Sequence, residues 1–391
     1  MTSSRTFLLV ALTLSLSSCA SGPSPEARAM HGAAERGDDA ALEALLATDP
    51  TLLEAQTPIG GTPLMSACAF GREQTVHQLL GRGADVRARR ESDGATALHA
   101  VIFSGSRDLA ELLLASGAEL DAESDDGYSA FDAAALHGAR DVAILLMDRG
   151  ADIHTPPDAP YTALHPVAYH GMRDLATRLI DAGVSLGGQG SNGSTPLHAV
   201  SGAGRSRLLG RYDFMAQEPL PPLTLPTPEQ RAAMATLLLD RGSDVNARNR
   251  GGLSPLHHAA RADLAPVAKV LLERGASPAA AGSDYDKTPL HLAAERGAPD
   301  VVRLLLEYGA EVDARQENEW TPLFDAARNG DLESARLLLD AGADVNAYRD
   351  GGHWPAGPTR TTPLTEARSF GGEEMVALLL SRGADPDPQP D

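Results

Sequence analysis

Cysteine is nearly absent from this chain: the 391 residues hold two, at positions 19 and 68. A pair so placed builds no disulfide framework. Aromatic residues are also scarce, at 4% against 42% apolar residues overall. The apolar content is carried by Ala and Leu, which points to close-packed helices and excludes a disordered chain. Positive charge is short as well. With 33 Lys+Arg against 53 Asp+Glu, the net charge is −20, and no basic block stands out. Phosphates would be repelled, so nucleic acid is not an expected partner. The run Thr6 to Leu16 (TFLLVALTLSL) is apolar but falls short of the ~20 residues a membrane-spanning helix needs. There is no P-loop-type glycine-rich segment, no HExxH, and no Ser/His/Asp or Cys/His arrangement that stands apart. No catalytic residue, cofactor or metal ligand is therefore assigned. At ~150 residues per domain, the length suits two or three domains or one extended array.

The opening residues read as an address. One positive charge at Arg5 precedes the apolar run, and Leu16-Ser17-Ser18-Cys19 follows it, the order of a secretory signal. This segment resembles the bacterial lipoprotein lipobox. The resemblance implies a signal peptide over residues 1–18, lipidation of the Cys19 thiol, and a short linker over 19–26. Each buried CH₂ contributes ~0.8 kcal/mol, so two or three acyl chains anchor firmly where one does not. Ala20 and Ser21 follow, with no Asp after the Cys. By the family's sorting rule, that implies the periplasmic face of the outer membrane.

The rest is periodic. A Thr-Pro-Leu-His-like tetrapeptide opens at Thr62, Thr96, Ser129, Thr162, Thr195, Ser254, Thr288, Thr321 and Thr362, and six of the eight spacings are 33 or 34 residues. Ala pairs (Ala259-Ala260, Ala293-Ala294, Ala326-Ala327), a Gly nine residues after the Thr, and Leu pairs (Leu79-Leu80, Leu113-Leu114, Leu305-Leu306, Leu338-Leu339) keep the same register. The pattern resembles the ankyrin repeat over about Ala27 to Asp385, with a degenerate first copy near Arg28, and gives about ten copies. The expected fold is an all-α repeat solenoid: stacked helix-turn-helix repeats with β-turn fingers, over residues 27–391. In such an array stacking supplies the core that no single repeat can bury. Two insertions break the period. A Pro-rich one falls near 205–230, between the helices of the sixth repeat, and another near 348–361, in the finger before the tenth.

Six of the twelve His (His31, His99, His165, His198, His257, His291) hold the tetrapeptide's fourth position. The resemblance implies that they bond to the backbone of adjoining loops. Three offsets face the groove in ankyrin repeats: the residue before the Thr and those seven and eight after it. Here these offsets assign partner contact to Phe70, Phe103, Tyr128, His137, Tyr161, Tyr169, His170, Arg296, Trp320 and Arg328, with Phe370 at the same offset in the last copy. Repeats two to five are expected to carry the main surface, and repeats eight and nine a more charged one. Tyr, Trp and Arg suit a surface wet when alone and buried when bound. The expected function is a scaffold anchored to the bacterial cell envelope, binding a protein or peptide in its concave groove. The alternatives are an enzyme or metal protein with a site in the 205–230 insertion or at His137 and His170, and a passive spacer.

Overall fold

The computed structural model describes residues 23–154, 161–202, 225–282, 285–349 and 361–387. Cys19, the lipobox and most of both insertions lie outside these residues. The described residues form ten helix pairs in two compact units. The first unit holds Pro25–Arg36 with Asp39–Thr48, Pro63–Ala69 with Glu73–Gly81, Ala97–Ala100 with Arg107–Ala115, and Ala130–His137 with Arg140–Asp148. The second holds Leu164–Tyr169 with Arg173–Asp181, Pro196–Val200 with Pro228–Asp240, Pro255–Arg261 with Ala265–Glu273, Pro289–Arg296 with Pro299–Glu307, Pro322–Asn329 with Leu332–Asp340, and Pro363–Glu366 with Glu373–Ser381. Among the described residues there is no strand, and no helix is long and apolar enough to cross a membrane. The all-α helix-turn-helix repeat read from the sequence is the architecture of each unit.

Local chemistry explains where the helices start. Thr or Ser stands at the N-cap in extended backbone, and Pro follows in the first turn at Pro63, Pro196, Pro255, Pro289, Pro322 and Pro363. A helix's first N–H groups lack intrahelical partners, so Pro loses nothing there, and at Thr62 and Thr362 the cap hydroxyl supplies an acceptor, whereas that of Thr321 is buried and makes no cap bond. The first helix begins at Pro25, capped by the Ser24 hydroxyl, which accepts from the N–H of Ala27 at 3.0 Å. This helix therefore starts inside the stretch expected to be a linker.

The core of each unit lies between neighbouring pairs. Ala33, Ala34, Ala259, Ala260, Ala293, Ala294, Ala326 and Ala327 are fully buried, so first helices pack closely where a larger side chain would hold them apart. Of each Leu pair in the second helices, the first member (Leu79, Leu113, Leu305, Leu338) is fully buried and the second only partly. In these four repeats one Leu, rather than two, fills the seam, whereas in the seventh both Leu271 and Leu272 are buried.

The fingers are turns joined by side-chain bonds, such as Asp152 N–H to Asp121 Oδ1 at 2.9 Å, and in four pairs by one backbone bond. In the first unit Ser92 N–H donates to Ile59 O at 3.1 Å and Asp125 N–H to Asp93 O at 2.8 Å. In the second, Arg250 N–H donates to Asn192 O at 2.9 Å and Glu317 N–H to Tyr285 O at 2.8 Å. Pairing within a finger stops at isolated bridges, such as Glu123 with Ser129 and Gly282 with Lys287. Two residues before the cap the backbone turns left-handed. Gly60, Gly94, Gly127, Gly193 and Gly252 fill that place, but Asp286 (φ 54°) and Glu319 (φ 66°) fill it in the eighth and ninth repeats.

Candidate interaction surface

The fourth-position His residues are structural, as their register implied. In four of them Nδ1 accepts from the backbone N–H of the capping Thr or Ser and Nε2 donates to a carbonyl of the next finger. His99 reaches Tyr128 O at 3.0 Å, His198 Leu253 O at 3.0 Å, His257 Lys287 O at 3.1 Å and His291 Trp320 O at 3.0 Å. His165 repeats the pattern, with Ser194 O at 2.7 Å. His31 bonds Ser66 Oγ at 2.9 Å and Ala55 O at 2.8 Å. Burial holds all six below the usual imidazole range, with His198, His257 and His291 pushed down to about 4. They are neutral staples whose ring nitrogens are both occupied. Asp132 replaces His in the fourth repeat and keeps only the local half of the job, accepting from Ser129 N–H at 3.1 Å and from its hydroxyl at 2.8 Å.

The residues expected on the groove divide sharply by exposure. Tyr128, His137, Tyr161 and Tyr169 are only 3 to 8% exposed. That corrects their assignment as displayed contacts and, with it, the weight given to repeats two to five. The cause is visible in two cases. Tyr128 gives its carbonyl to His99, which draws the residue in against the preceding repeat. Tyr169 lies beneath the guanidinium of Arg231, 4.8 Å from the ring centroid, with the His170 ring set edge-on at 5.2 Å. Phe103 is half-buried and meets the His137 ring at 5.2 Å. Phe70, Arg296, Arg328 and Phe370 are exposed, and His170 and Trp320 are half-buried.

In the second unit the displayed residues gather at one place. Trp320 stacks on Phe324 at 5.6 Å with an interplanar angle of 18°. Phe324 stands where other repeats carry the stapling His. The Arg328 guanidinium sits 5.5 Å from the Trp320 centroid and 5.0 Å from that of Phe370, and Arg349 lies 5.4 Å from the Trp320 centroid. Such contacts contribute about 0.5–1 kcal/mol each at exposed sites and fix the guanidinium plane. Beneath them Asp325 is buried, with the Nζ of Lys287 3.9 Å from its Oδ1; Lys287 also pairs with Glu295 at 2.8 Å. Desolvation pushes the Asp325 carboxyl up to about 7. The three groove offsets do not include Asp325 or Arg349. The fourth residue after each Thr or Ser does not single out Asp325, since Ser66, His258 and Glu366 hold it as well as Ala100, Ala133, Ala199 and Leu292. Arg349 borders the finger insertion and has no repeat register to betray it.

Metal and nucleophile chemistry finds little footing. Among the described residues no three His, Cys, Asp or Glu side chains converge as metal ligands, and neither His137 nor His170 joins such a group. Cys68 is fully buried and burial pushes its thiol up, away from the reactive thiolate.

Comparison with known proteins agrees with the repeat geometry. The family model for ankyrin repeats matches residues 30–124, 64–157, 227–316, 278–349 and 315–389. Among curated relatives, the chain is 36% identical over 95 residues to E3 ubiquitin-protein ligase KEG of Arabidopsis thaliana, covering 24% of this chain and 6% of that one. It is 37% identical over 92 residues to ankyrin repeat and SOCS box protein 11 of Mus musculus, covering 24% and 28%. It is 46% identical over 63 residues to zinc finger CCCH domain-containing protein 50 of Oryza sativa subsp. japonica, covering 15% and 10%. The chain thus spans less than a third of the length of each. The likeness is one of repeats, and on the family-model match the chain belongs to the ankyrin-repeat family, whose repeats serve as scaffolds for protein–protein interaction.

Proposed function

We propose that this chain is an interaction scaffold tethered to the bacterial cell envelope through lipidated Cys19, on the periplasmic face of the outer membrane. In this reading residues 1–18 are the removed signal and the few residues after Cys19 are the tether. The partner is a protein or peptide held against first-helix faces: Phe70 and Phe103 in the first unit, and Arg296, Trp320 and Arg328 in the second.

The observation that carries the reading is the displayed cluster of Trp320, Arg328 and Phe370, with Phe370 64% exposed. Trp and Arg dominate the energetics of protein interfaces, and a large exposed ring is costly on a surface that stays wet. A passive spacer needs no such cluster. Two measurements test the two halves of the proposal. Cells grown with labelled palmitate should label the wild type and not Cys19→Ala; equal labelling removes the anchor. A photoreactive residue in place of Phe370 should crosslink one envelope protein, and Trp320→Ala should cut that yield about tenfold or more while helix content is unchanged. The absence of any crosslinked product removes the scaffold reading.

A further inference from the structure

The chemistry of the partner can be read from the same cluster, and this inference rests on the scaffold reading above. The chain carries twenty more acidic than basic side chains, and several arginines of the second unit have a carboxylate at hand. Arg274 pairs with Asp240 at 2.7 Å, Arg315 with Glu319 at 2.8 Å, Arg382 with Asp340 at 2.8 Å and Arg303 with Glu333 at 3.4 Å. Arg328 and Arg349 are the exceptions at the Trp320 cluster. Among the described residues no carboxylate lies within ion-pair distance of either, and both instead sit on the Trp320 ring. The buried Asp325 feels the charge of Arg328 without reaching it as an ion pair, so the two guanidiniums stacked on one indole keep N–H edges for an anion from outside.

We propose that Arg328 and Arg349, carried on the Trp320 ring, receive the Asp or Glu side chains of an acidic partner segment that sets an apolar residue against Phe370. Stacking uses the face of a guanidinium and leaves its N–H edge available, and that edge matches a carboxylate in a two-point bond. Because the rings already hold the Arg328 head, binding costs less rotamer freedom than it would on a mobile side chain. Among the described residues the Nε–H of Arg349 and the Nε1–H of Trp320 find no acceptor, but both are buried, so the contact falls to the Nη edges of the two guanidiniums. The opposite occupant, a cationic side chain drawn to Asp325 and Glu366, is less well served. The carboxylate oxygens of these two residues that lack partners are buried, whereas Arg328 faces solvent. Lys287 already stands beside Asp325. The overall negative charge does not forbid an acidic peptide, because screening confines exposed charges to about 8 Å at physiological salt.

The chain has two Trp, at 320 and 354, so the full-length Trp354→Phe protein carries a single indole in the middle of the proposed site. A short synthetic peptide of Glu, Asp and Leu, titrated into that protein, should change the Trp320 emission saturably. Its analogue with Lys in place of each acid should not. Arg328→Gln and Arg349→Gln should each weaken the acidic peptide about tenfold or more with unchanged melting temperature. The proposal is overturned if the Lys peptide binds as well, if neither Gln variant weakens binding, or if the acidic peptide does not bind. It is also overturned if a single-stranded oligonucleotide binds more tightly than the peptide, which would make the surface a phosphate receptor. Crosslinking at position 370 separates the two readings. A crosslink that survives Arg328→Gln with Arg349→Gln leaves the scaffold standing and removes the acidic partner; no crosslink in any variant removes the scaffold itself.

Discussion

Tyr169 ends a first helix and Phe370 lies in the π-helical turn Ala367–Gly371 that follows one, seven and eight residues after their repeat's Thr, and the period treats them alike. Their surroundings do not. Tyr169 is closed over by Arg231, itself buried and bonded through Nη1 to Val200 O at 3.2 Å, while Phe370 projects beside Arg328. Removing a buried ring leaves a cavity and typically costs about 3–5 kcal/mol, whereas exposed sites shift stability by about 0.5 kcal/mol or less. Urea denaturation followed by helix content should therefore show Tyr169→Ala destabilised by about 3 kcal/mol and Phe370→Ala close to wild type. An unchanged midpoint for Tyr169→Ala would mean that the ring is not part of the core. The offset of each ring was legible in the sequence because helical period fixes a face. What covers that face was not, because Arg231 comes from a second helix beyond the sixth repeat's insertion and no local pattern announces the contact.

Helix starts and stops were the most legible elements, since Thr-Pro and Gly act through their nearest neighbours. The third repeat departs from the pattern. Its first helix ends at Ala100 and continues as turns to Gly105, and the Ser104 hydroxyl donates to both Val101 O and Cys68 O at 2.9 Å. A side chain that bonds nearby carbonyls competes with the helical ladder, and here it also ties the turn to the preceding repeat. The fingers hold a second departure. Five repeats place Gly at the left-handed position two before the cap, but the ninth places Glu319 there at φ 66°. A residue with a Cβ meets its own carbonyl in that conformation, at a cost of roughly 1–2 kcal/mol, against which Gly gives back part through its freer unfolded chain. Glu319→Gly should therefore stabilise the second unit by about 0.5–1 kcal/mol in chemical denaturation. A loss of stability would show that the Arg315–Glu319 pair, or the placement of Trp320 beside it, outweighs the strain.

The molecule's response to acid follows from the staples taken together. His198, His257 and His291 are held near 4 in the fold, and His31, His99 and His165 are also lowered. An unfolded chain binds those protons near its usual value of about 6.5. Their contribution to stability is thus fully present above about pH 6.5 and is lost as pH falls toward 4. Asp132, raised to about 6, and Asp325, raised to about 7, work the other way, since each disfavours the fold as pH rises through the same window. His258, pushed down to about 3, adds a seventh imidazole, and together they outweigh Asp132, Asp325 and the raised Glu54, Asp263 and Asp313, so the melting temperature should fall steadily from about pH 7 to pH 5. A flat profile would mean that the staples are not the neutral, buried groups described here. Ten copies and their register were written in the spacing of Thr and Gly across the chain, whereas the protonation behaviour depends on burial that only the assembled repeats create. The fingers carry one more consequence. Unpaired strand edges invite edge-to-edge addition of further chains and seed aggregation. Among the described residues four finger pairs share a single backbone–backbone bond, side chains such as Arg89 and Asp121 make further links, and pairing within a finger stops at lone bridges, so these turns offer no flat edge on which a second molecule could lengthen a sheet, and these segments should stay poor templates for amyloid even at high concentration.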